Sequence, residues 1–451
     1  MIRVLQASAW YPPAYVGGTE IYLTGLVRAL RAHDISSRVI APLGPQQTDG
    51  YTFDGATVRT YEVNALPSRG ELRGDARDAG FPRFCEMLAE ERPDVYHQHS
   101  WSRGLGGAHL HAAREFGLKT VVTVHLPNTI CMRGTMMRFG EEACDGRIEP
   151  RLCGACWSQG RGAPKALAHM LGAMPPRIAE RFERSSCVSN SRWATALGAR
   201  ALGKKRKEEF LRLIEDADRV VAVCQWLYDS LLLNGVPREK LVLSRQGVDS
   251  TFAMEAAQAI SPQAARAASP FQLLYIGRWH KVKGIDVLVR AVREIPQEVP
   301  LRLTIHGVGD GLEERACAES IRRLAQGDGR IRIEGSIAHE NLPHVLAQAD
   351  ALAVPSLWLE TGPMVVLEAK AAGLPVIGSR LGGIAELIRE PHDGMLVSPG
   401  DIRAWTAAIT MMIRGHKVKP AARAPAPIRT MHDVADDMAA LYRSVCCASS
   451  R

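Results

Sequence analysis

The 451-residue sequence lacks any apolar run long enough to span a membrane. The run at 363–378, for example, is interrupted by Glu368 and Lys370. The N-terminal apolar run is too short for a signal peptide and is typical of a first strand. Together these absences predict a cytoplasmic protein whose thiols stay reduced.

Nothing in the size or composition indicates a small or disordered protein. Apolar residues make up 46% of the chain and charged residues 23%, which is ordinary for a globular protein. The length predicts two or three domains, each large enough to bury a core without disulfides.

Short apolar runs alternate with helical patterns along the chain, which predicts parallel sheets covered by helices on both faces. Two such series predict two doubly wound α/β domains whose ligands bind at the carboxyl ends of the strands. The predicted strands are 2–8, 37–42, 94–99, 119–125, 219–224, 241–247, 271–277, 301–307, 331–335, 351–356, 375–379 and 394–398.

The domain boundary is predicted from an Ala-, Pro- and Ser-rich stretch at 251–270, which is typical of a linker. We therefore predict a first domain at 1–250 and a second at 251–428. A last helix is predicted within 429–451, because Val434, Met438, Leu441 and Val445 recur at helical spacing.

Positive charge is concentrated in one place. Residues 161–212 contain 12 Lys or Arg and 4 Glu, which accounts for the net charge of +8. They belong to a helical region, 161–215, without strand signals. Such a segment indicates an anionic partner such as membrane lipid, a phosphorylated lipid carrier or nucleic acid, and a solvated helical surface is the alternative.

The stretch "GRWHKVKG" (277–284) places two cations after a predicted strand. Arg278 follows the strand, and Lys283 precedes a helix. A guanidinium fork and an ammonium beside a helix N-terminus suit a diphosphate. The alternative is two surface cations in a loop.

The stretch "ETGPMVVLE" (360–368) places two carboxylates around a helix start. Pro363 suits a first helical turn, where free N–H groups can meet a phosphate. Glu368 lies two turns into the helix, where it can accept hydrogen bonds from vicinal hydroxyls, and Glu360 lies in the preceding loop. A surface glutamate and a helix glutamate are the alternative.

Two further candidates follow first-domain strands. Gly17 and Gly18 open a helix and let backbone approach a ligand. They do not form GxGxxG, so no nicotinamide cofactor is indicated. His125 ends the strand "VVTVH" and is a candidate substrate contact.

In their order along the chain, these motifs resemble glycosyltransferase family 4, the retaining nucleotide-sugar glycosyltransferases with the GT-B fold (EC 2.4). The resemblance also includes "GVD" (247–249), "GVGDG" (307–311) and "GGIAELI" (382–388), and covers almost the whole chain. Gln246 departs from the family, which usually has Asn there. The fold implied is two Rossmann-like domains facing a cleft, with the C-terminal helix crossing back to the first domain.

The resemblance implies a role for each candidate. Glu360 would hold the donor sugar or its developing positive charge, Glu368 the ribose, and His125 the donor sugar. The cations would neutralise the leaving nucleoside diphosphate, so that no catalytic metal is needed. The implied phosphate contacts are Arg278, Lys283, the backbone of Gly362, Pro363, Met364 and Val365, and Gly17 with Gly18 on the acceptor and phosphate side.

Four cysteines lie within 131–157: Cys131, Cys144, Cys153 and Cys156. Four thiolates suit a structural tetrahedral zinc, and one CxxC with two single cysteines is a partial zinc signature. Free thiols, disulfides and a small metal-free core are the alternatives. The insert begins six residues after His125, which suggests a lid on the acceptor side.

The sequence thus predicts a hexosyltransferase-type enzyme that transfers a sugar from a nucleotide sugar to a glycan or lipid-linked acceptor in cell-envelope or exopolysaccharide synthesis. Residues 161–215 would contact the inner face of the membrane peripherally. A nucleotide-sugar epimerase and a Cys-rich, basic nucleic-acid-binding protein are the alternatives, and no nucleic acid is expected with the enzyme.

Overall fold

A computed structural model describes residues 1–13, 17–42, 50–64, 68–72, 77–102, 104–189, 191–259, 270–415 and 428–447. The strands are β1 (Ile2–Ala7), β2 (Ile35–Ile40), β3 (Gly50–Phe53), β4 (Ala56–Arg59), β5 (Val95–Gln98), β6 (Lys119–Val124), β7 (Met137–Arg138), β8 (Glu142–Ala143), β9 (Arg219–Ala222), β10 (Leu241–Leu243), β11 (Phe271–Arg278), β12 (Leu301–Val308), β13 (Ile331–Glu334), β14 (Ala351–Val354), β15 (Val376–Ser379) and β16 (Gly394–Val397).

The α-helices are α1 (Gly18–Leu30), α2 (Arg69–Leu72), α3 (Phe81–Glu91), α4 (Gly107–Glu115), α5 (Pro150–Gly160), α6 (Lys165–Ala173), α7 (Pro176–Ser189), α8 (Arg192–Leu197), α9 (Ala199–Asp216), α10 (Gln225–Leu233), α11 (Ser250–Gln258), α12 (Ile285–Glu294), α13 (Leu312–Ala325), α14 (Leu342–Ala347), α15 (Met364–Ala371), α16 (Gly382–Leu387), α17 (Ile402–Ile413) and α18 (Met431–Cys447). None of these helices has the length and apolar character needed to cross a bilayer.

The chain divides into two compact units. The first unit contains 1–245 together with 431–451, and the second contains 246–430. The stretch predicted as a linker begins with helix α11 instead, because Asp249 caps its N-terminus through the amides of Thr251 and Phe252. The rest of the predicted linker, 260–269, lies outside the described residues.

The first unit is built on an eight-stranded sheet in the order β10-β9-β6-β5-β1-β2-β4-β3. Its pairs are parallel except for the antiparallel pair of β3 and β4. The hairpin between β3 and β4 turns at Asp54 and Gly55, which both have positive φ. Asp-Gly is a hairpin signal that our strand prediction did not use.

The second unit is built on a six-stranded parallel sheet in the order β13-β12-β11-β14-β15-β16. Strand β14 is buried at every position, as expected for a strand covered on both faces. Strand β11 pairs with both β12 and β14. The carboxyl ends of β11 and β14 are therefore neighbours at one edge of this sheet.

The last helix, α18, packs in the first unit. Val434, Met438 and Val445, from the predicted apolar stripe, are all at most 2% exposed and join a core cluster with residues of α1. The hydroxyl oxygen of Tyr442, in the same helix, lies 2.6 Å from His97 Nδ1. The helix thus has a polar contact in a mostly apolar interface.

The contact of Tyr442 with His97 belongs to a series of buried hydrogen bonds among polar side chains of the first sheet. Tyr442 Oη also accepts a hydrogen bond from Gln6 Nε2 at 3.2 Å, and His97 Nε2 lies 2.8 Å from Thr123 Oγ1. Burial lowers the pKa of His97 to about 3, and it lowers the pKa of His99 well below its usual value. Both imidazoles are neutral in the folded protein at ordinary pH.

We expect the free energy of unfolding to fall between pH 6.5 and pH 5. Burial also lowers the pKa of His109 and His125 to about 3, so the unfolded chain binds more protons in this window. Each such histidine contributes up to about 1.4 kcal/mol per pH unit. His339, whose pKa is raised by its hydrogen bond to Glu368, opposes this slope as a single group.

Urea unfolding at several pH values measures the slope. His109→Gln retains an acceptor for the Gly106 amide. It should reduce the pH dependence of the free energy of unfolding by the contribution of one histidine. The matched change His432→Gln, at an exposed position, should leave it unaltered. A stability that is constant from pH 7.5 to pH 5 would show that these histidines are protonated in the folded state.

Candidate active site

A buried ion pair in the second unit joins two predicted site residues. Lys283 follows β11, Glu360 follows β14, and Lys283 Nζ lies 2.6 Å from Glu360 Oε1. Their side chains are 17% and 8% exposed. The two residues are 77 positions apart in sequence and meet because β11 and β14 are neighbouring strands.

Glu360 is ionised despite its burial. Burial raises the pKa of its carboxyl, but Lys283 and the hydrogen bond from Ser356 outweigh this effect and hold the pKa below its usual value. Ser356 Oγ donates to Glu360 Oε1 at 2.6 Å. A buried carboxylate in this setting is a fixed negative charge that can face a developing positive charge.

Arg278 ends β11 on the same loop, and its side chain is exposed. The neighbouring His280 accepts a hydrogen bond from the Val282 amide through Nδ1 at 3.2 Å. Burial and then the charge of Arg278 lower the pKa of His280. The loop therefore presents Arg278 to solvent while it holds Lys283 against Glu360.

The loop before α15 brings backbone close to the side chain of Gln246. Gly362 has a φ of +154°. This backbone conformation favours glycine, and a Cβ added there would lie 2.3 Å from Gln246 Oε1, at the end of a flexible side chain. Helix α15 starts at Met364 after Pro363, without a side-chain cap. The amides of Met364 and Val365 in this first turn suit an anion.

Glu368 is buried in α15 and has a partner that we did not predict. His339 Nε2 lies 3.3 Å from Glu368 Oε1. Phe252 of α11 packs beside His339, with ring centroids 5.4 Å apart. The helix found in place of a linker therefore forms part of the surroundings of the predicted ribose contact.

In the first unit, Gly17 and Gly18 begin α1. The Gly17 amide donates to Glu20 Oε2 of the same helix at 3.0 Å. This internal cap places a carboxylate at the helix N-terminus, where negative charge is favourable. The Gly17 amide is therefore already hydrogen-bonded within the chain.

His125 lies directly after β6 and is 4% exposed. Its Nε2 lies 3.2 Å from His99 Nδ1, and His99 Nε2 lies 2.8 Å from Gln6 Oε1. Because an amide oxygen only accepts, His99 carries its proton on Nε2, and His125 therefore donates through Nε2. Tyr22 of α1 packs against His125 edge-on at 4.6 Å, which links His125 to the helix that begins at Gly18.

The four cysteines of the insert lie near one another. Burial first, and then the thiols of Cys131, Cys144 and Cys156, raise the pKa of Cys153 to about 12. Cys156 Sγ accepts a hydrogen bond from the Phe139 amide at 3.2 Å. Within the described ranges, no three or more Cys, His, Asp or Glu side chains are arranged to hold a metal ion, and the zinc site stays a prediction.

Three residues that contact the predicted site residues were not predicted to do so from the sequence. Ser356 lies four positions before Glu360, just outside the quoted stretch 360–368, and donates to its carboxylate. Gln246 was noted only as a departure from the family. His339 lies in no recognised motif, so the sequence gives no signal for it. It begins a short 3₁₀ turn, His339–Asn341, and its contact with Glu368 depends on how this turn packs against α15 in the second unit.

Two family models match the chain in succession. Residues 17–247 match the glycosyl transferase 4-like domain, and residues 270–414 match glycosyl transferases group 1. The amylovoran biosynthesis glycosyltransferase AmsK of Erwinia amylovora is 28% identical over 228 residues, covering 49% of this chain and 53% of the relative. The chain spans about half the length of the curated relatives it matches.

Solved structures with the same architecture cover nearly the whole chain. Sucrose-phosphate synthase from Thermosynechococcus elongatus has a TM-score of 0.66 at 20% identity, covering 99% of this chain and all of that structure. Anabaena HepE in complex with UDP and glucose has a TM-score of 0.58 at 15% identity, covering 100% and 98%. The fold predicted from the motifs, GT-B, is thereby confirmed.

The two matched models follow one another across the same two parallel-sheet units that carry the motifs. We conclude that the chain belongs to glycosyltransferase family 4, a family of transferases with the GT-B fold.

Proposed function

We propose that this protein is a retaining glycosyltransferase that moves a sugar from a nucleoside-diphosphate sugar to a glycan or lipid-linked acceptor in cell-envelope or exopolysaccharide synthesis. The observation that supports this best is the Lys283–Glu360 pair beside the start of α15. It combines a cation and helix amides for a diphosphate with a carboxylate for a sugar.

In the proposed reaction, the bond between the anomeric carbon and the diphosphate oxygen breaks, and its electron pair stays on the diphosphate. Arg278, Lys283 and the first amides of α15 stabilise that charge, while the carboxylate of Glu360 faces the positive charge on the sugar. The acceptor hydroxyl attacks from the face that the diphosphate leaves, and its proton passes to the leaving phosphate. Catalysis then rests on positioning and fixed charges, and we expect no catalytic metal.

The remaining residues take supporting roles in this proposal. Glu368 holds the ribose, with His339 fixing its carboxylate at 3.3 Å. His125, a neutral imidazole at ordinary pH, contacts the donor sugar, and Gly17 and Gly18 line the acceptor and phosphate side. The names of the relatives support a polysaccharide product, and HepE, which binds UDP and glucose, supports a nucleotide-sugar donor. Neither an epimerase nor a nucleic-acid-binding protein is favoured by these names.

The basic region 161–215 carries the proposed peripheral membrane contact. Large apolar side chains are exposed among its cations: Met170 is 69% exposed, Ile178 45% and Trp193 79%. An apolar surface with interspersed Lys and Arg suits the interface of an anionic bilayer.

The donor is tested first by thermal denaturation with UDP, GDP and ADP and with their sugars. One nucleotide series should raise the melting temperature, because a ligand at 100 times its Kd adds about 2.7 kcal/mol to the free energy of unfolding. A protein whose melting temperature responds to none of these compounds would not fit the proposal.

Glu360→Gln should lower turnover by about a hundredfold or more, because it removes a charge aimed at the reacting centre. The amide oxygen still accepts from Ser356, so the variant should stay folded. Release of the nucleoside diphosphate from the donor found in the thermal screen measures the effect. The control Glu319→Gln alters an exposed pair of the same unit and should leave turnover at the wild-type level.

Lys283→Ala should differ from Glu360→Gln in its effect on stability. It leaves a carboxylate buried without its cation, which costs about 3–5 kcal/mol. It should therefore lower the melting temperature as well as the affinity for the donor. Wild-type turnover in either variant would refute the assigned site.

The zinc prediction is checked by metal analysis of the purified protein. If Cys131, Cys144, Cys153 and Cys156 hold zinc, the protein contains about one equivalent, and a chelator lowers its melting temperature. Cys153→Ser should remove the metal, whereas the control Cys85→Ser should retain it. Protein without zinc, with all four thiols titratable in the folded state, would contradict the prediction.

A further inference from the structure

The first unit contains a large cavity that the proposed roles do not use. Its volume is about 1580 Å³, more than the roughly 300–1,000 Å³ of a typical small-molecule pocket. One side is formed by segments that follow β4, β5 and β6, and the other by the inserted helices α5, α6, α8 and α9. The size suits an extended ligand rather than a single sugar.

The cavity is lined by aromatic side chains. Three of the eight tryptophans of the chain, Trp101, Trp157 and Trp193, contribute to its wall. Trp101 and Trp157 are half-buried, whereas Trp193 is 79% exposed. Indole rings offer wide apolar faces with one hydrogen-bond donor each, which suits a ligand with both apolar and polar parts.

The inserted helices add cations to the same wall. Arg161 lies over the ring of Trp157, 5.3 Å from its centroid. Arg192 and Arg212 also line the cavity and are exposed. Neither arginine makes an ion pair or a side-chain hydrogen bond with another residue in the part of the chain that the structure describes. Exposed guanidinium groups without an ion pair are suited to binding a phosphate.

Three of the five carboxylates that line the cavity among the described residues lie close to a basic side chain. Asp78 lies 3.6 Å from His109 Nε2, Asp216 lies 3.0 Å from His111 Nδ1, and Glu209 pairs with Arg206 at 3.4 Å. Glu215 also lines the cavity, is exposed, and makes no ion pair within the described residues. Arg192 and Arg212 are likewise available to a ligand.

Part of the rim of the cavity is apolar. Leu167 and Trp193 both line the cavity and are also 41% and 79% exposed, so they stand where it meets solvent. Both belong to the basic region, and Arg192 is the direct neighbour of Trp193. A ligand that leaves the cavity here passes from cations to exposed apolar surface.

A hydroxyl in the opposite wall lacks a partner. Thr129 lines the cavity and is 4% exposed, and its Oγ1 has no hydrogen-bond partner among the described residues. Thr129 belongs to the 3₁₀ turn Pro127–Thr129, four residues after His125. A buried hydroxyl without a partner costs stability, and a ligand hydroxyl would satisfy it.

We infer that this cavity binds the acceptor as a lipid-linked glycan, with its diphosphate on Arg192 and Arg212, its sugars among Trp101, Trp157 and Thr129, and its lipid chain across the rim at Leu167 and Trp193. The inference rests on the proposed glycosyl transfer and deepens it by naming the acceptor class. The two arginines without ion pairs indicate the diphosphate, and the exposed side chains of Leu167 and Trp193 indicate the lipid.

Binding of farnesyl diphosphate to the full-length protein tests the cavity. We expect saturable binding, followed by tryptophan fluorescence, with farnesol and inorganic diphosphate each at least about tenfold weaker, because each lacks one half of the recognised ligand. Saturating UDP should not displace the probe. Displacement by UDP would place the probe at the donor diphosphate site and overturn the inference.

Variants separate the cavity from the donor site. The double change Arg192→Gln and Arg212→Gln should weaken farnesyl diphosphate binding by about tenfold to a hundredfold and leave the thermal shift by the donor nucleotide unchanged. The control Arg238→Gln, an exposed arginine of the same unit outside the cavity, should alter neither. Unchanged probe binding in the double variant would overturn the inference.

Three further outcomes are informative. Farnesol binding as tight as farnesyl diphosphate would show an apolar groove without phosphate recognition, and binding only to anionic phosphatidylglycerol vesicles would show a membrane surface; either overturns the inference. A wild-type protein that binds farnesyl diphosphate but no nucleotide would instead refute the proposed glycosyl transfer and leave the cavity assignment standing.

Discussion

The structure depends on one constraint of parallel sheets, which is that all strands end at the same edge. Lys283 follows β11 and Glu360 follows β14, and these strands are paired in the six-stranded sheet. A cation and a carboxylate 77 residues apart therefore meet at 2.6 Å. In the first sheet, the same rule places His125 after β6, beside the helix that begins at Gly18.

Burial then gives these groups their properties. The carboxylate of Glu360 stays ionised because Lys283 and Ser356 compensate for the loss of water around it. Such a pair is a poor source of stability, since hydrophobic residues of similar size often serve as well. In the proposed reaction, the pair supplies a fixed charge that needs no reorganisation when charge develops.

The first unit carries the features that distinguish this chain from a bare α/β scaffold. Helix α5 carries Cys153 and Cys156 of the cysteine insert. Together with α6, α8 and α9 and with segments after β4, β5 and β6, it encloses a cavity. Gly154 allows α5 to approach the start of α9, because a Cβ there would lie 2.7 Å from the Ala199 carbonyl oxygen. Glycine at this position therefore lets two of the inserted helices pack closely against each other.

Much of the fold could be predicted because its signals are local. Each of the twelve predicted strands is present, and α18 buries the apolar stripe formed by Val434, Met438, Leu441 and Val445. The hairpin of β3 and β4 was not predicted, because the strand prediction used apolar runs and not the Asp54-Gly55 turn. Helix α11 escaped because its composition is typical of a linker, whereas Phe252 in fact packs against His339.

The sequence by itself determined the family, the two series of strands and the chemical types available for the site, because motif order and apolar periodicity are written along the chain. Only the tertiary structure decided which of these residues meet. Strand order, which no local pattern encodes, pairs Lys283 with Glu360. Packing between distant segments gives Glu368 its partner His339 and places Gln246 against Gly362. The cavity of the first unit likewise exists only once the inserted helices pack against the segments that follow β4, β5 and β6.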